Sequence, residues 1–572
     1  MRKLWKYLKP YRKECFLGPL FKLVEALFEL AVPLVVANMI DIGIGNGTGG
    51  DRGFLLAMSG VLLLLAVLGL ACALAAQYFA ARAAVGFCAD VRRDLFAHIQ
   101  TFSYSRLEAL GTDTLITRLT GDLNQIQSGV NLTLRLLLRS PFVVLGAVVM
   151  AFTVDPPAAT VFAVTVPLLT LAIFAVMLAG IPLYKTVQKK SDALLAKIRE
   201  NLSGMRVVRA FCREAEEERI FGQKNRELAA TQIKAGNRSA ILNPVTMVLI
   251  DFGIVAVIAA GGVRVSAGAL TRGGVVALYH YMLQILVELI KFASLVITVT
   301  KAVASAKRVA AILETPSGME QGNQETGDET TKNAAEFRGV SLTYGGEEAL
   351  HDIDLALPRG ALVGIIGSTG SGKSSLIHLL PRLYDATAGT VLVDGVDVRS
   401  YSFAALRKKV AVVPQKTVLF AGTVRENLKM GNADATDDEL WKALRIAQAE
   451  QTVKEKNGGL DYPVEQEGRN FSGGQRARLA VARALAEKPE ILILDDSLSA
   501  LDYATAADLL TALKTASTVQ TVLLVSQRVA AIRRADVLVV LEEGALAGVG
   551  TYESLKTSCE VFREICASQE EL

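Results

Sequence analysis

The sequence predicts a multidomain chain in which a polytopic all-α membrane domain precedes an α/β domain built around a P-loop. Two observations support this fold class. Hydrophobic residues make up 51% of the 572 residues and concentrate before about Lys301, while the remainder has the composition of a soluble protein. The second half contains the glycine-rich segment Gly367–Ser374, directly after a short apolar run. We place the two domains at residues 1–313 and 334–572, with a linker that lacks apolar periodicity at 314–333.

Six stretches of the first half are apolar enough to cross a membrane as helices, which takes about 20 residues for a hydrocarbon core of about 30 Å. We expect the third to begin early, through Leu132–Leu138, with Arg135 and Arg139 near the cytosolic interface. The two long links between stretches are basic, so these links and both termini are predicted to be cytoplasmic. The stretches are Cys15–Ile40, Phe54–Ala80, Pro141–Val154, Ala158–Ile181, Leu242–Val263 and Val275–Thr298.

Charged residues are few in these stretches, because a charge inside a membrane is costly. Five of those that occur suit either a polar transport pathway or ion pairs within the helix bundle, and the sequence leaves both open. The six apolar stretches imply contact with membrane lipid. The net charge of +4 is small, so we expect no nucleic-acid partner. The six cysteines lack metal-ligand spacing. The five ionisable residues are Glu25, Glu29, Asp251, Glu288 and Lys291.

The segment Gly367–Ser374 has the spacing of a P-loop and the context that such a loop requires. Ala361–Ile366 predicts a buried strand before it, and the residues after Lys373 predict a helix. Glycines let the backbone wrap phosphates, the lysine is placed for the β- and γ-phosphates of ATP, and the Ser374 hydroxyl is placed for Mg²⁺. The predicted nucleotide-binding residues are Gly367, Ser368, Thr369, Gly370, Ser371, Gly372, Lys373, Ser374 and Ser375.

A second predicted buried strand, Ile491–Asp495, ends in a carboxylate. This is the Walker B arrangement, in which Asp495 holds the magnesium ion directly or through water. The two motifs together predict an α/β P-loop ATPase domain whose cofactors are ATP and Mg²⁺.

With these motifs the second half resembles the ATPase domains of ATP-binding-cassette (ABC) proteins. The whole chain resembles an ABC exporter half-transporter of the bacterial inner membrane, and the segment Phe471-Ser-Gly-Gly-Gln475 resembles the signature peptide of that family. The resemblance implies that Tyr344 stacks on adenine and that Gln415 reaches the magnesium ion and senses the γ-phosphate. It also implies that a nucleotide held by a partner subunit contacts the signature residues Ser472, Gly473, Gly474 and Gln475.

Two cytosolic segments, Leu115–Leu119 and Asn201–Phe211, mix apolar and basic residues at helical spacing. They resemble the intracellular loops of ABC exporters, in which short coupling helices dock on the ATPase domains. We therefore expect helices that extend out of the bilayer and carry a contact surface.

Two positions depart from the pattern of the family. Asp496 stands where a catalytic Glu is usual, and Gln527 stands where a switch His is usual. The shorter Asp holds its carboxylate back from the attacking water, and a displacement of about 1 Å can cost on the order of 10²-fold in rate. Gln donates a hydrogen bond but carries no positive charge. We therefore expect the site containing Asp496, Gln527 and Gln415 to bind ATP and hydrolyse it poorly.

The resemblance implies a dimer in which each nucleotide lies between the P-loop of one chain and the signature of the other. A weakened site beside an intact signature favours a heterodimer that exports a small molecule, a lipid or a peptide. Two alternatives stay open: an importer on the exporter scaffold, such as a siderophore uptake subunit, and a regulatory membrane protein with little ATP turnover. The residues do not identify the substrate.

Overall fold

The computed structural model describes residues 2–44, 51–344, 346–516 and 520–570. The chain divides into two compact units. We call residues 1–100 and 112–315 the membrane unit, and residues 101–111 and 316–572 the P-loop unit.

The membrane unit consists of helices. Within the described ranges, six helical stretches are long and apolar enough to span a bilayer, which confirms the predicted number. The third stretch begins at Thr112, well before its apolar part, as expected. The helices are Arg2–Trp5, Lys6–Tyr11, Arg12–Asn38, Met39–Ile44, Arg52–Gln100, Thr112–Thr117, Arg118–Asp122, Leu123–Leu136, Arg139–Val154, Pro156–Ser203, Met205–Ala210, Glu214–Ala240, Leu242–Ser266 and Arg272–Glu314.

Several of these helices are much longer than a membrane requires. Arg52–Gln100 has 49 residues, which corresponds to about 74 Å at 1.5 Å per residue, against a hydrocarbon core of about 30 Å. Pro156–Ser203 has 48 residues and Arg272–Glu314 has 43. The excess length forms the extensions that the sequence predicted.

The short link between the helices Arg139–Val154 and Pro156–Ser203 is fixed by Asp155. Its carboxylate caps the following helix by accepting a hydrogen bond from the amide of Ala158 at 3.0 Å, which satisfies one of the free amides of a helix N-terminus. The same carboxylate pairs with Arg264 at 2.8 Å. This ion pair joins the link at Asp155 to the end of the helix Leu242–Ser266.

Four of the five ionisable residues noted within the spans form ion pairs inside the membrane unit. Arg139, which we expected near the cytosolic interface, is only 5% exposed and contacts Glu288 at 2.7 Å and Glu29 at 2.6 Å. Lys291 pairs with Glu288 at 2.8 Å, and Glu25 pairs with the neighbouring Lys22. This arrangement favours pairing within the bundle over a row of free charges along a pathway.

The P-loop unit contains two larger sheets. Their strands are β1 (Asn333–Tyr344), β2 (Glu347–Pro358), β3 (Leu362–Gly367), β4 (Ala388–Val393), β5 (Val396–Asp397), β6 (Val410–Val413), β9 (Ile491–Asp495), β10 (Thr521–Val525), β11 (Val537–Glu542) and β12 (Ala545–Gly550), with the short pair β7 (Gly422–Thr423) and β8 (Pro463–Val464) apart. One sheet has the order β2-β1-β4-β5 and is antiparallel. The other has the order β12-β11-β3-β10-β9-β6 and is parallel except for β12.

Burial on both faces explains why β3 is apolar throughout. Successive side chains of a strand point to opposite faces. Val363 and Ile365 belong to one buried apolar cluster of this unit, and Leu362 and Ile366 belong to the other. Because β3 is central, its carboxyl end lies where parallel sheets bind ligands.

Helices flank these sheets and complete the unit. One of them, Tyr104–Leu110, comes from the first cytosolic link but groups with the P-loop unit, where Tyr384 donates a hydrogen bond to Glu108 at 3.0 Å. The others are Lys373–Leu379, Phe403–Lys409, Val424–Lys429, Asp437–Ile446, Glu450–Lys454, Gly459–Asp461, Gln466–Gly468, Gly473–Ala486, Tyr503–Thr515, Val529–Ile532, Tyr552–Ser558 and Glu560–Glu570.

The segment expected as a linker is ordered along the P-loop unit. The amide of Gly322 donates to the carbonyl of Tyr401, and the amide of Gln324 donates to the carbonyl of Ser400. Nearer the first helix of this unit, the amide of Ser103 donates to the carbonyl of Ser317 at 2.8 Å. These backbone contacts fix the chain before it enters β1.

Candidate nucleotide site

The predicted P-loop lies between β3 and the helix Lys373–Leu379. Gly372 precedes that helix with φ of 89°, a left-handed conformation that favours glycine. A Cβ atom there would also approach the carbonyl oxygen of Ala349 to 2.7 Å. The loop therefore needs glycine at this position for both its backbone conformation and its close packing.

Lys373 is held by the loop itself. Its Nζ donates hydrogen bonds to the carbonyl oxygens of Gly367 at 2.9 Å and Ser368 at 2.6 Å. Burial lowers the pKa of Lys373, and the nearby carboxylates of Asp496 and Asp495 oppose that shift. The ammonium group thus lies at the centre of a loop of backbone amides, where an anion would offset the cost of its burial.

Two carboxylates face this loop from the end of β9. The hydroxyl of Ser374 donates to Asp495 Oδ1 at 3.1 Å, which brings together two oxygen ligands of the kind that Mg²⁺ prefers. Burial raises the pKa of Asp495, and the Ser374 hydrogen bond and the charge of His378 oppose it. The donor set fits a magnesium ion bound beside the phosphates.

Asp496 follows in a left-handed backbone conformation, with φ of 45°, which Asp adopts more readily than most residues. Its amide donates to the carbonyl of Val525 at 3.1 Å and so joins the ends of β9 and β10. Burial raises the pKa of Asp496 and the charge of Asp495 raises it further, while Arg528 and a hydrogen bond from Gln415 oppose the shift.

A cavity of about 410 Å³ brings most of the predicted residues together. Its walls include Gln415, Asp495, Asp496 and Gln527, together with the loop residues 369–375. Gly367 and Ser368 accept hydrogen bonds from Lys373, one of the residues in the wall, through their carbonyl oxygens. The backbone of Tyr344 ends β1, but its side chain lies outside the described part of the structure.

The signature residues are located elsewhere. Of the described residues that line this cavity, none belongs to Ser472–Gln475. These residues begin the helix Gly473–Ala486 with a reciprocal cap: Gln475 donates its amide to the Ser472 hydroxyl, and the Ser472 amide donates to the Gln475 side chain at 2.9 Å. Phe471 is buried beneath them against the ring of Tyr462. The signature is therefore a rigid, solvent-facing helix start.

Two residues at the site were not predicted. His378 lies on the helix after the P-loop with its Nε2 3.8 Å from Asp495 Oδ2, and burial lowers its pKa. Gln569, in the last helix, binds the backbone of Gln527. His378 lies one helical turn after the P-loop residue Ser374, and this spacing could have suggested that it belongs to the site. No local pattern links Gln569 to Gln527.

Comparison with known proteins identifies the class to which this arrangement belongs. Residues 15–289 match the family model of the ABC transporter transmembrane region, and residues 350–499 match that of the ABC transporter. The chain therefore belongs to the ABC transporter family. It has the organisation of an exporter half-transporter, with one membrane domain fused to one ATPase domain.

Relatives and a solved structure match nearly the whole chain. An uncharacterized ABC transporter ATP-binding protein of Mycobacterium tuberculosis is 36% identical over 99% of this chain and 97% of its own length. The putative multidrug export ATP-binding/permease protein YgaD of Bacillus subtilis is 31% identical, over 97% of each chain. The structure of a bacterial Atm1-family ABC exporter with ATP bound covers 98% of each chain with a TM-score of 0.80; at 23% identity it shows the shared fold.

Membership of this family settles the broad activity. The chain is a multi-pass membrane protein with a cytoplasmic, ATP-binding ATPase domain, and it acts in ATP-driven transport of the exporter type. Half-transporters of this family work as dimers. The predicted fold class and membrane location are confirmed.

Proposed function

We propose that this chain is one half of a heterodimeric exporter whose own ATP site hydrolyses ATP slowly and whose signature completes the faster site of its partner. One observation carries the proposal: Asp496 and Gln527 line the same cavity as the P-loop. Both departures from the family pattern thus act on one nucleotide, and their effects on the reaction combine.

In this site, the residues that would bind ATP and Mg²⁺ match the family pattern, whereas the residues that would support hydrolysis depart from it. The P-loop amides and Lys373 would hold the phosphates of ATP, while the Ser374 hydroxyl, the Asp495 carboxylate and Gln415 would hold Mg²⁺, which neutralises charge on the phosphates. Asp496 directly follows Asp495 and carries the next carboxylate along the chain. Its side chain is one methylene shorter than Glu and already accepts a hydrogen bond from Gln415. A water beyond the γ-phosphate would therefore be positioned poorly.

Gln527 weakens the same step for a different reason. Its side chain can donate a hydrogen bond to a phosphate oxygen but adds no positive charge as the reaction proceeds. The site would still close around ATP, because that depends on the P-loop. A slow site that stays occupied can hold the dimer together between turnovers of the other site.

The signature supports the other half of the proposal. Ser472 and Gly473 are exposed at the start of their helix, and the reciprocal cap between Ser472 and Gln475 fixes that start. Amides at a helix N-terminus bind phosphate well. The similarity to YgaD, named as a putative multidrug exporter, supports export of a small molecule; a lipid or peptide substrate stays within the proposal.

The test is to purify the full chain alone and together with a partner ABC half-transporter whose own site carries the catalytic Glu and the switch His. We expect slow ATP hydrolysis by the chain alone and a marked rise in the co-purified complex, with both sites retaining nucleotide. Full-rate hydrolysis by the chain alone as a homodimer would contradict the proposal.

A further inference from the structure

A second cavity, of about 630 Å³, lies within the membrane unit. One wall is the N-terminal segment, which comprises the helices Arg2–Trp5 and Lys6–Tyr11. The helices Leu123–Leu136 and Arg272–Glu314 contribute the facing walls. The volume lies in the range of pockets that enclose organic ligands, and the cavity shares no residue with the nucleotide site.

The N-terminal segment is firmly docked, so the cavity is a built feature. Leu4 and Tyr7 are buried, with exposures of 6% and 8%. The hydroxyl of Tyr7 donates to Asp94 at 2.9 Å, and that of Tyr11 donates to Asp90 at 3.0 Å. These contacts anchor the segment to the helix Arg52–Gln100 while leaving the cavity beside it open.

The walls of the cavity are apolar. Phe87 and Ile126 are buried at its base, and Val130, Leu134 and Val303 line it further out. Gly129 closes the base tightly, since a Cβ atom there would lie 2.2 Å from the Cβ of Ala302. Such a surface favours hydrocarbon, because burying each CH₂ group there is favourable.

Two cations stand at this cavity without a counter-ion. Lys9 and Arg12 are exposed and are the only charged residues among the described residues that line it. Neither forms an ion pair within the described part of the chain. Glu14, the acidic residue closest to them in sequence, pairs with Arg82. The cavity thus combines an apolar interior with uncompensated positive charge.

The position of these cations in the membrane indicates their ligand. Arg12 begins the first membrane-spanning helix, and six spans place the N-terminus on the cytoplasmic side with the ATPase domain. Anionic headgroups of the cytoplasmic leaflet lie at this level, and basic pockets beside transmembrane helices bind them. We propose that the cavity binds an anionic phospholipid of the cytoplasmic leaflet, with an acyl chain among Phe87, Val130 and Val303 and the phosphate between Lys9 and Arg12.

The test uses the purified full-length protein in neutral detergent. Phosphatidylglycerol or phosphatidylcholine with identical acyl chains is titrated in, and bound lipid is counted by native mass spectrometry. We expect tight retention of phosphatidylglycerol. Each cation should contribute about fivefold, so Lys9→Gln with Arg12→Gln should lower the preference for phosphatidylglycerol by about 25-fold. Lys13→Gln is the control, because Lys13 is exposed and does not line the cavity.

A second variant tests the acyl chain independently of charge. Val303→Phe narrows the cavity and should reduce retention of both lipids, whereas glycerol phosphate without acyl chains should not compete. Equal retention of the two lipids by the unmodified protein, or unchanged binding in the double variant, would overturn the proposal. So would disulfide cross-linking of a Cys introduced at Val303 to a Cys introduced in a helix of a second subunit, which would show that protein fills the cavity. Thermal unfolding in detergent verifies that each variant is folded.

Discussion

The side-chain amide of Gln569 holds the backbone at Gln527 in place. Its Nε2 donates to the carbonyl oxygen of Gln527 at 2.7 Å, and its Oε1 accepts from the amide of Val529 at 2.8 Å. Gln527 lines the nucleotide cavity. The helix Glu560–Glu570 therefore positions the segment of the nucleotide cavity that contains Gln527.

Gln569→Ala should loosen this segment without unfolding the unit. A typical hydrogen bond contributes about 0.5–1.5 kcal/mol, and Gln569 is exposed, so water replaces part of that contribution. We expect faster amide hydrogen exchange at residues 527–529 and weaker ATP binding by a few-fold. Gln451→Ala is the control, since Gln451 is exposed and its side-chain amide donates to the neighbouring Glu455, outside the nucleotide cavity. Unchanged exchange at residues 527–529 would show that the contact does not position the segment.

Lys373→Ala should weaken ATP binding at this chain's own site. The variant removes the one ammonium group at the centre of the loop, so we expect nucleotide affinity to fall by at least tenfold, or about 1.4 kcal/mol. Photolabelling with an azido-ATP analogue, followed by separation of the two subunits, measures the loss on this chain alone. Lys442→Ala, which changes an exposed lysine outside the cavity, should leave labelling intact.

Magnesium affinity should depend on pH in a specific direction. The folded protein raises the pKa of Asp495 and Asp496 above the ordinary value of 3.8. The apo site therefore takes up protons at a higher pH than free Asp does, and Mg²⁺ must displace them. We expect the apparent Mg²⁺ affinity of the ATP-bound site, measured relative to that of free ATP at the same pH, to decline as pH falls, beginning above the range in which free Asp titrates. Asp495→Asn should remove most of this dependence, and affinity that stays flat down to about pH 4 would contradict the assignment.

In the membrane unit, Arg139→Leu should strongly destabilise the fold. Glu288 is 3% exposed and would lose the guanidinium 2.7 Å away, and breaking a buried ion pair costs about 3–5 kcal/mol. Lys291→Leu is the control, because Lys291 is 42% exposed and its pair with Glu288 contributes less. The double variant Arg139→Leu with Glu288→Leu should recover much of the loss. The three variants are compared by thermal unfolding in detergent. Equal unfolding temperatures for Arg139→Leu and Lys291→Leu would show that Arg139 does not stabilise the fold more than Lys291 does.

Local patterns predicted much of this molecule. Apolar length identified the six spans, and the spacing around Lys373 identified the loop at the end of β3, because both features depend on consecutive residues. The pairing of Arg139 with Glu29 and Glu288 joins residues more than 100 positions apart and depends on how the helices pack. Nothing in the sequence alone fixes that arrangement.

The contact helices show the same limit. We expected them at Leu115–Leu119 and Asn201–Phe211. The second region contains the short helix Met205–Ala210. In the first region, Leu115–Leu119 lies in the helices Thr112–Thr117 and Arg118–Asp122, and the helix Tyr104–Leu110, which was not expected, packs in the P-loop unit through Glu108 and Tyr384. Its sequence is too short to show a clear period, so only the fold reveals its role.

The most direct test of the proposed asymmetry compares Gly474→Asp with Asp496→Ala in the co-purified complex. Gly474→Asp places a negative charge in the signature, against the γ-phosphate held by the partner, and should reduce ATP turnover by about 10²-fold or more. Gly474→Ala adds the same Cβ, which would lie 3.1 Å from the carbonyl oxygen of Ala500, and separates crowding from charge.

Asp496→Ala should lower turnover of the same complex by no more than about twofold, because the proposal assigns little of the hydrolysis to the affected site. The measurement is steady-state ATP hydrolysis by the three variants and the unmodified complex at saturating Mg-ATP. We expect a large loss for Gly474→Asp and a small one for Asp496→Ala. Equal losses in the two variants would contradict it.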